Sequence, residues 1–151
     1  MTQPIVVARF LACALGLVLS NNILAKELNS KEFGPYIVYF NALPTEFLTP
    51  EIAERHRITR SRNRILLNIV VKTKERTLEM ATPAEVKAQV KNLLVQITTA
   101  EIRPIHEGSA IYYLAEFSVA HRELLHFTLE IKPSTSRETF VVKFSQDFYT
   151  R

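Results

Sequence analysis

Four arginines spaced two or three apart are the residues of this chain best suited to chemistry. Arg57, Arg60, Arg62 and Arg64 lie in the stretch His56–Val71, HRITRSRNRILLNIVV. A planar guanidinium fork makes bidentate, charge-assisted bonds to phosphate, sulfate or carboxylate oxygens. The same stretch alternates: Ile65, Leu67, Ile69 and Val71 fall on odd positions, while Arg60, Arg62, Arg64 and Asn68 fall on even ones. Successive side chains of a strand point to opposite faces. A single strand from Ile58 to Lys72 would therefore bury the odd set and display an arginine ladder, with Asn68 as a hydrogen-bonding neighbour. The competing reading is a solvated face whose arginines pair with Glu51, Glu54 and Glu75, an arrangement that contributes little energy.

Other chemistry has thinner support. His56, His106, His121 and His126 are far apart and form neither an HxH nor an HExxH spacing. His126 and Glu130 share the outward side of one expected strand, so an enzymatic or metal-binding role through that pair is the rival reading; it needs a third ligand from elsewhere. There is no GxSxG elbow and, beyond residue 25, only Gly34 and Gly108, so neither a serine hydrolase turn nor a glycine-rich phosphate loop is present. No catalytic residue, no metal ligand set and no cofactor is assigned. A third reading is a structural accessory protein without ligand.

The elements that would position these residues are strands. Tyr36–Ala42 opens the series, β-branched and aromatic. Thr49 is placed to cap a short helical turn over Pro50–Glu54, with Glu51 and Glu54 near its positive end. After the arginine stretch, Lys74–Thr77 makes a turn. Val86, Ala88 and Val90 alternate with Lys87, Gln89 and Lys91, and Val95–Arg103 reads as a further strand. Glu107-Gly108-Ser109 signals a hairpin. Ile111, Tyr113, Ala115 and Phe117 follow on one side, then Leu125, Phe127, Leu129 and Ile131, then Phe140, Val142 and Phe144. The aromatics fall in step with this alternation, which places them in a core. About seven short strands, each with one apolar face, call for a second sheet to cover that face. The expected fold is all-β: an immunoglobulin-like two-sheet sandwich.

At 151 residues with 47% hydrophobic composition the chain suits one domain with a real core. Residues 1–25 have the pattern of a secretory signal peptide: Arg9, the apolar run Phe10–Leu19, then Ser20-Asn21-Asn22 and a small residue at Ala25. The run is shorter than the roughly 20 residues a spanning helix needs. The alternative, an uncleaved inner-membrane anchor extended back through Ile5, would bury Arg9 at about 2.5–3.5 kcal/mol. Cys13 is the only cysteine and lies in this segment, so a mature chain would carry no disulfide or thiol chemistry. The expected division is thus a signal peptide over 1–25, a flexible polar lead-in over 26–35 and a sandwich over 36–151, exported to the periplasm. The formal charge of +4 falls to +3 without Arg9, an ordinary solubility-level charge. Export and the absence of aromatics among the arginines argue against nucleic acid. An acidic protein or an anionic envelope component is the expected partner class.

The segments VYFNALPTEFLTPEIAERHRITRSRNRILLNIVV (38–71), KNLLVQ (91–96), EGSAIYYLAEF (107–117) and VKFSQDFY (142–149) together resemble domain-of-unknown-function family 4426. The resemblance spans about Phe33 to Tyr149. It implies a small exported proteobacterial protein with an immunoglobulin-like sandwich. It implies no activity, cofactor or catalytic residue.

Overall fold

A computed structural model describes residues 29–150. The expected signal segment lies outside them. Two antiparallel sheets face each other as a sandwich. The larger sheet runs β1 (Asn29–Phe33), β2 (Tyr36–Pro44), β3 (Arg64–Glu75), β8 (Ala110–Ser118) and β7 (Arg103–Glu107). One edge of β3 pairs with β8 over residues 64–69 and with the short β4 (Leu78–Ala81) over residues 72–75. The smaller sheet runs β10 (Phe140–Phe148), β9 (Glu123–Pro133), β5 (Ala84–Lys91) and β6 (Ile97–Ala100).

The alternating residues form the core between the sheets. Ile65, Leu67, Ile69 and Val71 of β3 are fully buried, as are Leu129, Ile131 and Val142 opposite them. Phe127 stacks on Phe144 at 4.5 Å between ring centroids and meets Phe117 and Phe148 edge-on. Phe40, Tyr113, Phe117 and Phe127 are core residues, while Tyr36, Tyr39 and Tyr112 are half-exposed.

Among the described residues ten strands replace the expected seven or so. Asn29–Phe33, within the stretch read as polar lead-in, is a strand that folds back on β2 through the Gly34-Pro35 turn. Val95–Arg103 is not one strand: Leu93–Gln96 turns, β6 takes Ile97–Ala100, and β7 begins at Arg103 in the other sheet. The short helix α1 (Pro50–Arg55) is where it was expected, with the Thr49 hydroxyl accepting from the Ile52 amide at 3.4 Å.

The outer face of the larger sheet carries a second apolar layer. Leu66 and Leu114 point outward, away from the main core, yet each is only 1% exposed. They are covered by Leu48, Ile52, Ala53 and Ile58 from the segment that carries α1. The smaller sheet's outer face is polar instead, with Lys87, Gln89, Glu130 and Lys132 in solvent or nearly so.

Candidate functional site at the loop end of the sandwich

Strand directions gather the long connections at one end. The excursion 45–63, the β5–β6 turn (92–96), the β8–β9 turn (119–122) and residues 149–150 all lie there. The opposite end is closed by tight turns at 34–35, 76–77 and 108–109 and by the 134–139 loop.

The arginine stretch belongs to the loop end, and its shape departs from the expected ladder. Strand β3 begins at Arg64, so Arg57, Arg60 and Arg62 precede it. The cause is how α1 ends. Ile58 N–H donates to Ala53 C=O at 2.8 Å and Arg57 N–H to Glu54 C=O at 3.1 Å, with Arg57 left-handed at φ 54°. This is the Schellman ending of a helix, with its apolar contact supplied by Ile58 against Ile52 and Ala53. Ile58 is thereby drawn under the helix, not into a strand.

Thr45 then fixes the next segment. Its fully buried hydroxyl accepts from the Ser61 amide at 2.9 Å and donates to the Thr59 carbonyl at 2.9 Å, with the Ser61 carbonyl at 3.1 Å. This staple ties the 59–61 backbone to the 3₁₀ turn Thr45–Phe47. It also brings two arginines to Glu46: Arg60 Nη2 donates to the Glu46 carbonyl at 3.0 Å, and Arg62 Nε lies 3.3 Å from the Glu46 carboxylate. Arg62 remains 68% exposed. Arg57 is exposed as well.

Arg64 has a different setting. Its Nη1 sits 3.3 Å from Glu116 of β8, and the other oxygen of Glu116 accepts from Arg103 Nη2 at 3.1 Å. Arg103 Nη1 in turn donates to the His56 carbonyl at 3.0 Å. His56 Nε2 lies 3.1 Å from Glu107, with both side chains about nine-tenths buried. Arg64 thus joins a network that fastens the end of α1 to β7 and β8. The carboxylates beside Arg62 and Arg64 are Glu46 and Glu116; of the expected three, Glu51 is held low by its backbone amide and by Thr49 and also feels the charge of Arg60.

Asn68 stands apart from the arginines, four residues and therefore about 13 Å along the strand from Arg64. It faces Asn41 of β2 across the sheet, and the Oδ1 atoms of both are buried without a hydrogen-bond partner. The His126–Glu130 pair is likewise separated by about 13 Å of strand. His126 bonds Ser145 at 2.7 Å instead. Among the described residues no three His, Cys, Asp or Glu side chains come together as a metal-holding group.

The sequence reading missed a further feature of this end. Leu93, Leu94 and Val95 form the tip of the β5–β6 turn, and Leu94 is 79% exposed. Phe47, Ile97 and Tyr149 are also exposed, so six of the nine exposed large apolar residues described lie at this end. Behind the tip is a groove of about 370 Å³. Val90, Phe117, Val119 and Leu125 form its floor, and Asn92 and Glu123 stand at its rim. Only Asn92 in KNLLVQ signals a turn; the three aliphatics that follow read as strand, which hid the tip.

A two-sheet antiparallel sandwich with one end tightly turned and the other built of long, arginine-bearing and apolar loops is the class of protein this geometry defines. The chain belongs to the family described as Domain of unknown function (DUF4426), which it matches over residues 30–151. The crystal structure of a DUF4426 family protein from Pseudomonas aeruginosa is similar, with 25% identity and a TM-score of 0.70, covering 82% of this chain and 96% of that one. FetP from uropathogenic Escherichia coli, recombinantly expressed in the periplasm, shares 10% identity at a TM-score of 0.59, over 80% of this chain and 93% of its own. A copper-bound variant of FetP gives 9% and 0.58, over 82% and 95%. At those identities the likeness to FetP is one of fold. Among curated proteins, none matches the chain. No helix of the described residues is long and apolar enough to cross a membrane.

Proposed function

We propose that this protein is a non-catalytic binding module of the bacterial periplasm whose contact surface is the loop end. Arg60 and Arg62 are its anion-facing groups, Arg57 is an exposed neighbour, and Arg64 is the residue that fixes where the loop joins the sheet. The observation that carries this reading is the setting of Arg62. It is 68% exposed and held 3.3 Å from one carboxylate by a loop that a buried threonine pins in place. An exposed ion pair of that kind is worth little, so an incoming anion displaces Glu46 at small cost. A guanidinium already oriented loses less freedom on binding than a free one. Asn68 lies outside this surface, about 13 Å along the strand from Arg64, with its Oδ1 buried opposite Asn41. Periplasmic export is supported by the signal-like residues 1–25 and fits the family's expected character.

The test is cross-linking and copurification from the native periplasm, with thermal unfolding in heparin as a polyanion probe. Heparin at 100 times its dissociation constant should stabilise the fold by about 2.7 kcal/mol. Arg60→Ala/Arg62→Ala should abolish that shift and lose the copurifying partner while changing unfolding without heparin by no more than about 1 kcal/mol. Thr45→Val should weaken both by unpinning the loop. Binding that survives the double arginine variant sinks the reading.

A further inference from the structure

We infer that the loop end is a lipid-contacting surface: Leu93, Leu94 and Val95 enter the headgroup–acyl boundary of an anionic phospholipid bilayer while Arg60, Arg62 and Arg122 take lipid phosphates. This rests on the loop-end binding surface proposed above and names what it binds.

The first support is the shape of the tip. Consecutive side chains of a tight turn diverge, so a flat or grooved protein partner would cover one or two of them. A fluid apolar phase surrounds all three. The second is the state of the tip's backbone. Val95 N–H donates to Asn92 C=O at 3.0 Å and Asn92 N–H to Gln96 C=O at 3.2 Å. The Asn92 side chain completes the turn: its Oδ1 accepts from Gln96 N–H at 3.0 Å, and its Nδ2 donates to Gln96 and to Glu123. Of the three tip residues Val95 has its N–H bonded within the turn, and a tip that stops at the headgroup–acyl boundary leaves the backbone of Leu93 and Leu94 to water and headgroups. Val95 is held in the left-handed region at φ 63°, a conformation that β-branched residues avoid. The turn thus keeps an unfavourable backbone while displaying a large aliphatic side chain.

The third support is charge. Arg60, Arg62 and Arg122 are exposed at this end or close to it. Of the carboxylates near them, Glu46 meets Arg62, Glu51 feels the charge of Arg60, and Glu123 is occupied by Asn92 and by the Ala120 amide at 2.7 Å. Basic residues on the same end as an apolar tip are drawn to anionic lipid over about a Debye length.

The chain has no tryptophan, so one introduced at the tip is a unique reporter that reads only its own surroundings. The experiment places Leu94→Trp, and separately Thr77→Trp at the opposite end, in the full chain. Vesicles contain equimolar phosphatidylglycerol and phosphatidylethanolamine, with and without brominated acyl chains. The Leu94→Trp emission should shift to the blue and be quenched several-fold by bromine, with Thr77→Trp unaffected. Adding Arg60→Ala/Arg62→Ala, raising the salt, or substituting phosphatidylcholine should each weaken the effect several-fold. A Leu94→Trp emission that stays water-like and unquenched overturns the inference. So does equal quenching at both positions. If the arginine-dependent partner of the preceding section is nonetheless recovered, the loop end binds protein, and only the lipid assignment falls.

Discussion

The two ends of the sandwich are made from the same antiparallel strands but are finished in opposite ways. At one end the chain reverses in two residues at Gly34-Pro35, Arg76-Thr77 and Gly108-Ser109. At the other it wanders for nineteen residues between Pro44 and Arg64, and turns through Leu93–Val95 with its aliphatic side chains outward. A tight hairpin needs only the local geometry of its two loop residues. A long connection has to be docked, and this one is docked by α1 on Leu66 and Leu114, by the Thr45 staple and by the His56–Glu107 and Arg103–Glu116 pairs. Loops held on a rigid scaffold are where binding surfaces are usually found.

The largest effect that could break this comparison is at the docking layer. Leu66 is 1% exposed although it points away from the main core. Leu66→Ala should destabilise the protein by about 2–5 kcal/mol, the range for a truncated leucine in a core. It should also open the 57–62 arginines to trypsin before global unfolding. Leu78→Ala, on the exposed β4 strand beside the other end, should stay within about 0.5 kcal/mol of wild type. Denaturant unfolding of the two variants side by side decides the matter. Equal, small effects would mean that α1 lies loosely on the sheet and the loop end is not built.

The next test is a mirrored pair. Gly108 and Val95 have nearly the same backbone angle, φ 57° and 63°, at opposite ends. Glycine is at ease there and valine is not. Gly108→Ala meets no atom within 4 Å of its new Cβ, so its cost is conformational only, about 1 kcal/mol. Val95→Gly should run the other way, relieving strain and gaining up to about 1 kcal/mol, less what the more flexible unfolded chain returns. Opposite signs in thermal unfolding would show that the tight end is tuned for stability and the tip is not. A loss at both positions would mean that the Val95 side chain stabilises the turn.

The residues that alternate were legible and the residues that dock were not. Ile65 to Val71, Val86 to Val90, Ile111 to Phe117 and Leu125 to Ile131 all face the core as their period of two requires. The same rule failed at Ile58–Arg62, where an apolar–arginine alternation that suits a strand belongs to a helix ending and a stapled loop. Glycine usually marks the left-handed residue after a helix, and here Arg57 takes that place. Thr45 gave no sign that its hydroxyl would bond residues fourteen and sixteen further on. Arg103 and Glu116 are brought to Arg64 only by the pairing of β8 with β3 and β7. Leu66 and Leu114 break alternation in a way that signals a second covered face, which a count of apolar residues on one side overlooks.

The smallest effect sits on the larger sheet, where β3 meets the short β4. Glu79 accepts bonds from Lys72 at 3.0 Å and from Tyr39 at 2.9 Å. The Lys72 bond, then the Tyr39 bond, hold its carboxyl below the ordinary 4.5. A carboxylate with a depressed value stabilises the fold above the unfolded value and loses that contribution as pH falls through the folded one. The acid limb therefore lies below pH 4.5. Tyr39 is raised above 10.0 by burial and by its bond to Glu79, so its contribution is present below pH 10 and is lost as pH rises further. Both limbs should be shallow because these groups are largely solvated. Glu79→Gln should flatten the acid limb and reduce the basic one together. If only the acid limb changes, Lys72 alone holds Glu79, and β4 is tied to β3 without the help of β2.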